Sequence, residues 1–245
     1  MKTQLFAALA ASLLLSSAAG PAAWSASPAQ ALPAPKVDVV TTAPGKLETA
    51  VLSGGCFWGV QGVFQHVKGV KSVYSGYSGG PGAMAQYELV STGTTGHAES
   101  VQVTFDPAQI SFGEVLRIFF TVATDPTQVN MQYPDEGPQY RNEIFYATPD
   151  QKRVAEAYIQ QLNDAHVFKK PIATRVDPLK GFFKAEDYHQ DYLTLHPNQP
   201  YIATFDIPKV KMLRAVFPDR YMATPILVFP SNQAKAKSAK GASPS

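Results

Sequence analysis

Apolar and polar residues alternate with two different periods between residues 47 and 178. Strand-like alternation has a period of two, whereas a spacing of three or four indicates an amphipathic helix. Strands are predicted at 47–54, 70–79, 98–105, 143–148 and 172–176. Helices are predicted from Phe57 onwards, over 110–120, and from Thr148 to about Asn163.

Local signals support each of the three helices. The first has one apolar face, which comprises Val60, Val63, Phe64 and Val67. In the second, Ser111 and Glu114 have the spacing of a capping box. The third opens with Thr148 followed by Pro149, and these residue types are favoured at the cap and the first helical position.

The element order predicts an α+β fold. Strand, helix, strand, strand, helix and strand follow one another as in a ferredoxin-like split βαβ two-layer sandwich. Two long irregular loops, 79–97 and 125–141, and an aromatic C-terminal extension are added to this core. Loops of this length are usually functional or disordered. Because these two are rich in tyrosine and acidic residues, a functional role is predicted.

The two ends of the chain differ from its body. The first 31 residues contain Lys2, an apolar run from Leu5 to Leu15 and a small-residue cleavage motif that ends at Ala31. This pattern predicts a secretory signal peptide, with an uncleaved anchor as the alternative. The predicted organisation is signal peptide 1–31, linker 32–46, globular domain 47–230 and disordered tail 231–245. Export to a periplasm or secretion follows, with no membrane attachment after cleavage.

Composition narrows the possible partners. The chain has 245 residues, and its formal net charge of +2 is too small to indicate binding of nucleic acid or of an anionic membrane. A monomer is expected. The sequence has one cysteine, which in an oxidising compartment cannot form an internal disulfide. That thiol is therefore inert, paired with another molecule, or reactive.

The single cysteine, Cys56, lies in the run SGGCFWG between a predicted strand and a predicted helix. Unpaired amides and the dipole at a helix N-terminus stabilise a thiolate. Gly54 and Gly55 allow a sharp turn that leaves the sulfur uncovered. A reactive thiolate is one interpretation, and a buried inert cysteine is the other. Phe57 and Trp58 are either core side chains or the walls of a pocket for a small apolar group.

Two later segments carry candidate acids and hydrogen-bond donors. STGTTGHAES brings His97 and Glu99 in front of a strand, and DEGPQYRNE brings Asp135, Glu136, Tyr140 and Arg141. A buried glutamic acid has a raised pKa and can donate a proton near neutral pH. A tyrosine hydroxyl can stabilise a developing oxyanion. With one thiol, these residues predict attack on a polar group that carries oxygen.

Two other functions are consistent with parts of the sequence. His189 lies about 130 residues beyond Cys56 and is followed by Asn198, which is the spacing of a papain-like cysteine hydrolase. A secreted binding module with a structural cysteine is the non-enzymatic alternative. The five histidines and one cysteine show no spacing typical of metal ligands, so no metal is predicted.

Six motifs, in this order, resemble the peptide methionine sulfoxide reductases of the A type (MsrA). They are GGCFWG, YSGG, TGHAE, DPTQVN, DEGPQYRN and AEDYHQDYL. The resemblance covers about residues 48–230, so the domain 47–230 is predicted to be the catalytic domain. It implies a peptide-methionine (S)-S-oxide reductase that acts on free or protein-bound methionine sulfoxide and repairs oxidatively damaged proteins.

The resemblance assigns roles to the thiol and the aromatic pair. Cys56 would attack the sulfoxide sulfur and become a sulfenic acid, while Phe57 and Trp58 would bind the S-methyl group. Many family members have recycling cysteines near the C-terminus, and this chain has none. A thioredoxin-like protein, a glutaredoxin or a small thiol must then reduce the sulfenic acid. No bound cofactor is expected.

Four further residues would act on the sulfoxide oxygen. Glu99 would protonate it, Tyr87 and Tyr140 would donate hydrogen bonds to it, and Asp135 would contribute through water. The chain departs from the family pattern in the loop before Tyr87 and at Thr124, where a histidine is common. These departures concern the shape of loops more than the chemistry.

Overall fold

The centre of the molecule is a β-sheet, seen in a computed structural model that describes residues 30–39 and 45–232. The strands of the described ranges are β1 (Glu48–Gly54), β2 (Val70–Ser78), β3 (Ala98–Phe105), β4 (Met131–Gln132), β5 (Asp135–Glu136), β6 (Asn142–Tyr146), β7 (Arg175–Pro178) and β8 (Phe182–Lys184). Six of them form one sheet in the order β7-β6-β1-β3-β2-β8, while β4 pairs with β5.

Three helices that the sequence predicted pack with this sheet. These three are α1 (Phe57–Gln65), α3 (Phe112–Ile118) and α4 (Pro149–Asp164). The other α-helices of the described ranges are α2 (Tyr87–Val90), α5 (Tyr192–Leu195) and α6 (Ile207–Val216). The predicted caps are present in α3 and α4, where Ser111 and Thr148 accept backbone hydrogen bonds from Glu114 and Gln151, both at 3.2 Å. Because a six-stranded sheet and several helices occur together, the predicted mixed α+β class is confirmed.

Strand pairing brings two parts of the later site together. β1 lies between β6 and β3 and is antiparallel to both, and β2 pairs antiparallel with β3. In this register Glu99 on β3 lies opposite Tyr77 on β2. The last predicted strand, 172–176, is found slightly later as β7, which is parallel to β6 at the edge of the sheet.

One apolar core joins the sheet to α1, α3 and α4. The side chains that share this core include Leu52, Val60, Val63, Phe64, Val101, Val103, Leu116, Ile144, Val154 and Tyr158. Because the predicted apolar face of α1 is fully buried there, the helix is held firmly at both ends. A rigid α1 fixes whatever side chains lie at its N-terminus.

The segment 30–39 is docked on the domain, although the sequence predicted a linker over 32–46. Leu32 is buried, its N–H donates to Thr121 Oγ1 at 3.3 Å, and its carbonyl accepts from Arg117 Nε at 2.6 Å. Asp38 accepts from Ser111 Oγ and from the Gly113 N–H at the start of α3. These contacts make residues 32–39 part of the folded unit.

The C-terminal extension covers α1 from the other side. α5 and α6 both contact α1, with a π-helical turn, Ile202–Asp206, between them. Buried Asp191 accepts hydrogen bonds from Gln65 on α1 at 2.7 Å and from Asn232 at 2.8 Å. The predicted tail 231–245 and signal peptide 1–31 lie largely outside the described residues. Among the described helices, none is both long and apolar enough to cross a bilayer.

Candidate active site

Cys56 occupies the cap position of α1, directly after the turn that follows β1. Gly55 makes this turn with a φ of 90°, and a Cβ at that position would lie 2.4 Å from the Cβ of Gln132. A residue with a side chain would therefore be both strained and overlapped at position 55. The predicted sharp glycine turn in front of the cysteine is confirmed, but the prediction that it leaves the sulfur uncovered is wrong, because Cys56 is buried.

Burial has more influence on the ionisation of Cys56 than the helix N-terminus does. Burial raises the pKa of the thiol well above its usual range, and the carboxyl groups of Glu99, Asp206 and Asp135 raise it further. The backbone N–H of Trp58 donates to the sulfur and lowers its pKa, which is the effect expected at a helix N-terminus. Burial and three carboxyl groups outweigh that single bond. Of the two interpretations of the sequence, the buried cysteine therefore describes the resting state, in which Cys56 keeps its proton.

Glu99 is a buried carboxyl next to the cysteine. Its Oε2 accepts a hydrogen bond from the Phe57 N–H at 3.0 Å, which places it at the first turn of α1. Burial raises the pKa of Glu99 to about 8, although the bond from Phe57 opposes that shift. At neutral pH the carboxyl is mostly protonated and can act as a proton donor.

A cavity of about 170 Å³ opens beside the sulfur. It is lined by the seven residues to which the family resemblance assigns a role and by two more: Cys56, Phe57, Trp58, Tyr87, Glu99, Asp135, Tyr140, Gln199 and Tyr201. Burial is the main cause that raises the pKa of the Tyr87 and Tyr140 hydroxyls, so both keep their protons. The cavity thus combines one thiol, one protonated acid and several hydroxyl donors.

Arg141 joins the two long loops that carry these groups. Its guanidinium donates to the carbonyls of Gly96 and His97 at 3.0 and 3.2 Å, and to the carbonyl of Pro138 at 2.9 Å. It is also paired with buried Glu143 at 2.5 Å. The loops are therefore ordered, and Arg141 sets the position of Tyr140 relative to the strand that carries Glu99.

The remaining candidate residues from the sequence do not line the cavity. His97 Nδ1 accepts from the Gly80 N–H at 3.2 Å, and its Nε2 lies 3.0 Å from the Pro81 carbonyl, so the ring holds the loop at the end of β2. Glu136 is exposed on β5 and does not line the cavity. Thr124, where the family often has histidine, is buried and hydrogen-bonds the side chain of Asn142.

The residues that sequence reasoning missed come from the C-terminal extension. The hydroxyl of Tyr201 donates to Asp135 Oδ2, and the edge of its ring faces Trp58 at a centroid distance of 6.2 Å. The Gln199 Oε1 atom accepts from the Ile202 N–H at 2.8 Å. Nothing in their spacing links these residues to Cys56, because the contact depends on how the extension folds back over α1.

A buried ion pair lies beneath the first turn of α1. Lys209 Nζ is 3.2 Å from Asp206 Oδ1, and both residues are buried. A Cβ at Gly59 would lie 2.0 Å from the same oxygen, so the helix can approach the pair only because residue 59 is glycine. Burial is the main cause that raises the pKa of both Cys56 and Glu99, and the Asp206 carboxyl adds a smaller effect in the same direction.

Comparison with known proteins identifies the family to which this site belongs. The family model described as peptide methionine sulfoxide reductase matches residues 48–221, which include the whole cavity. The chain belongs to the peptide methionine sulfoxide reductase family. It is accordingly an oxidoreductase that reduces methionine sulfoxide.

Individual relatives agree over most of the chain. Peptide methionine sulfoxide reductase MsrA 2 of Mesorhizobium japonicum is 53% identical over 186 residues, which is 76% of this chain and 95% of that protein. The protein of the same name from Synechocystis is 50% identical over 194 residues, or 78% of this chain and 91% of that protein.

Solved structures of related proteins share the fold. Reduced Mxr1 of Saccharomyces cerevisiae aligns with a TM-score of 0.58 at 30% identity, over 67% of this chain and 93% of that one. Methionine sulfoxide reductase A of Corynebacterium diphtheriae aligns with a TM-score of 0.55 at 34% identity, over 70% and 86%.

Membership of this reductase family excludes the two alternative functions. In a papain-like hydrolase His189 would face the thiol, but its Nδ1 accepts a hydrogen bond from Trp58 Nε1 at 3.2 Å, and Asn198 is exposed. A purely structural cysteine does not account for the cavity beside it.

Within residues 30–39 and 45–232, no group of three or more histidine, cysteine or acidic side chains could hold a metal ion.

Proposed function

We propose that the protein reduces methionine S-sulfoxide, free or within polypeptides, by way of a sulfenic acid on Cys56, and that it thereby repairs oxidised proteins. One observation carries this proposal. The sole thiol of the chain shares a cavity of about 170 Å³ with a carboxyl group whose pKa of about 8 keeps it protonated at neutral pH.

Glu99 supplies the proton that makes the substrate reactive. A sulfoxide sulfur is a weak electrophile until its oxygen is protonated, so an acid is needed beside the nucleophile. As the Cys56 sulfur bonds to the sulfoxide sulfur, the Glu99 proton moves to the oxygen and the thiol proton replaces it on Glu99. The adduct then breaks down: its hydroxyl leaves the methionine sulfur for the Cys56 sulfur, and the bond between the two sulfurs breaks with its electron pair returning to methionine, which leaves the sulfenic acid and releases methionine. One thiol and one sulfoxide have become one sulfenic acid and one thioether, and Glu99 is unchanged.

Hydroxyl groups hold the sulfoxide oxygen during this step. Tyr87 and Tyr140 line the cavity with protonated hydroxyls, which can donate to the oxygen as negative charge develops on it. Asp135 lines the same cavity, and its carboxylate position is fixed by the hydroxyl of Tyr201. Its contribution is therefore to support the polar end of the pocket.

Phe57 and Trp58 form the apolar end of the pocket. Phe57 is fully buried, and the ring centroids of the pair are 6.5 Å apart. Two rings can bind a methyl group without recognising the rest of the methionine. Because only the end of the side chain has to enter, the pocket accommodates both free and protein-bound methionine sulfoxide.

Regeneration of Cys56 requires a second molecule. The sequence contains no other cysteine, so the sulfenic acid condenses with an external thiol to a mixed disulfide and water, and a second thiol then releases Cys56. The reductant is a thioredoxin-like protein, a glutaredoxin or a small thiol. A thiol on a protruding loop or a small molecule suits Cys56, because the residue as a whole is only 8% exposed.

Two further proposals concern the fold and the location of the protein. We infer that β1, β2, β3 and β6 with their helices form a ferredoxin-like split βαβ core, which is supported by their antiparallel order β6-β1-β3-β2. We infer export to a periplasm or secretion from the signal-peptide pattern of residues 1–31.

The stereochemistry of the substrate tests the proposed function. With dithiothreitol as reductant, the S epimer of a blocked methionine sulfoxide should be consumed at least about 100-fold faster than the R epimer. The preference for the S epimer is what membership of the family implies, and a pocket with one apolar end and one polar end can distinguish the two arrangements of methyl group and oxygen. Chiral chromatography of the remaining sulfoxide measures the ratio. Equal consumption of both epimers, or no consumption of either, would contradict the proposal.

A further inference from the structure

We propose that His189 is a positioning residue, whose neutral imidazole holds the indole of Trp58 in the orientation that forms the methyl-binding wall. This inference rests on the proposed function, in which Trp58 is part of the substrate pocket. It concerns a residue outside the cavity lining, which acts on the substrate only through Trp58.

The contact between the two rings defines the tautomer of the histidine. Trp58 Nε1 donates to His189 Nδ1 at 3.2 Å. An indole N–H can only donate, so Nδ1 must be the unprotonated nitrogen and the ring proton must reside on Nε2. A proton on Nδ1 would break this bond. The orientation of Trp58 therefore depends on His189 remaining neutral.

The surroundings of His189 keep it neutral. The ring is only 2% exposed and packs against the rings of Phe57, Tyr87 and Tyr188, at centroid distances of 5.0, 4.5 and 4.2 Å. Burial lowers the pKa of His189 to about 4, and the opposing effect of Glu186 is smaller. The Glu186 Oε2 atom lies 3.9 Å from Nε2, too far for a hydrogen bond, and Nε2 is buried without a partner.

The contact with His189 adds a directional hydrogen bond to the ring contacts of Trp58. The indole stacks on Tyr192 at 4.0 Å with an interplanar angle of 11°, while Tyr201 meets it edge-on. These ring contacts restrict the plane of the indole, whereas neither of them depends on the direction of its N–H. The hydrogen bond to His189 is directional and therefore orients this N–H.

The turn that carries His189 is itself anchored beside the pocket. Glu186 accepts from the Tyr77 hydroxyl at 2.8 Å and from the Tyr87 N–H at 3.0 Å. Gln190 accepts from the Ser75 N–H at 2.9 Å. The turn Asp187–His189 is therefore fixed to β2 on either side, and it positions Tyr87 and Trp58 together.

A wall of the methyl pocket contributes equally to binding of the sulfoxide and of the transition state. Its loss is expected to raise KM and to leave kcat nearly unchanged. The His189→Leu variant has a side chain of similar bulk without an acceptor, and it should raise KM for methionine S-sulfoxide about tenfold, with kcat within twofold of the wild type. The His189→Asn variant places an amide oxygen near the Nδ1 position and should restore KM to within about threefold.

A double-mutant cycle in the full chain separates action through Trp58 from general destabilisation. If His189 acts through Trp58, adding His189→Leu to Trp58→Phe should raise KM no further, because the N–H that it holds is already absent. The indole N–H resonance of Trp58, assigned by its loss in Trp58→Phe, should move upfield in His189→Leu and return in His189→Asn. Urea unfolding of each variant gives the accompanying change in stability.

Several outcomes would overturn the inference. They are an unchanged KM in His189→Leu, a KM in His189→Asn as high as in His189→Leu, and additive effects in the cycle. If His189→Leu does not fold, the pair His189→Asn and His189→Gln decides the matter, because glutamine carries its amide beyond the Nδ1 position and should not rescue KM. Activity of the wild-type protein on the sulfoxide is the separate control, since its absence would refute the proposed function itself.

Discussion

The Cys56→Ser variant will fold and will show no measurable reduction of methionine sulfoxide. A serine hydroxyl is a far weaker nucleophile towards sulfur, and the chain has no second cysteine to replace it. We expect the rate with dithiothreitol to fall by at least about 10³-fold, the scale seen when a nucleophile is removed. The free energy of unfolding in urea should fall by no more than about 2 kcal/mol, because the hydroxyl is buried in the place of the thiol.

The stability measurement is what makes the loss of activity informative. Lost turnover together with a normal unfolding transition assigns the chemistry to the sulfur of Cys56. Turnover retained above about one-thousandth of the wild-type rate would show that another group performs the reduction.

The Glu99→Gln variant will lose most of the rate of the first step, and its remaining rate will not fall between pH 7 and 9. Glutamine can donate a hydrogen bond but cannot transfer a proton, so we expect a loss of about 10²-fold to 10⁴-fold at pH 7. The wild-type rate should fall as pH rises through about 8, where Glu99 loses its proton. Single-turnover release of methionine, measured across this pH range, reports the step directly.

Stability supplies an independent test of the same pKa. The folded-state pKa of Glu99, about 8, lies above its ordinary value of 4.5, so the folded protein binds more protons than the unfolded chain between these values. The contribution of Glu99 to stability is therefore present below pH 4.5 and is lost as pH rises to about 8. Relative to the wild type, Glu99→Gln should become more stable on going from pH 5 to pH 9, by a few kcal/mol.

Glu136, an acidic residue next to Asp135 in the chain, gives a matched control for both measurements. It is exposed on β5 and does not line the cavity. The Glu136→Gln variant should retain the wild-type pH–rate profile and stability. A wild-type profile in Glu99→Gln would remove Glu99 from the acid role.

The hydrophobic pattern was sufficient to predict five strands of the sheet and the helices α1, α3 and α4, but not the edge strand β8 or the helices of the C-terminal extension. α1 and β3 present faces that are apolar at the right period, and the local caps of Ser111 and Thr148 then define the ends of two further helices. Such signals lie within a few residues of one another in the chain. They are readable from sequence because neighbouring positions, and not the rest of the fold, determine them.

The protonation of the thiol could not be predicted in the same way. The helix N-terminus at Cys56 is a local feature, and its predicted effect exists as the bond from the Trp58 N–H. The opposing effects come from burial and from Asp135 and Asp206, which are distant in sequence. Their balance depends on how the loops and the C-terminal extension close over the site.

The same reason applies to the segments that composition alone misjudged. Residues 32–39 have the Pro and Ala content of a linker, but Leu32 fits a site formed by Arg117 and Thr121. Tyr201 and His189 belong to an irregular extension without a period, although each contacts a pocket residue. Long-range contacts of this type leave no regular spacing in the sequence.

The most direct test of the central claim is a single turnover without reductant. The protein is mixed with an excess of the S-sulfoxide of a blocked methionine, and the methionine released is counted while Cys56 is trapped with a sulfenic acid reagent and located by mass spectrometry. We expect one methionine to be released per protein. We also expect one trapped sulfenic acid per protein, located at Cys56 and nowhere else. Release of methionine with Cys56 unmodified, or no release from a folded protein, would contradict the claim.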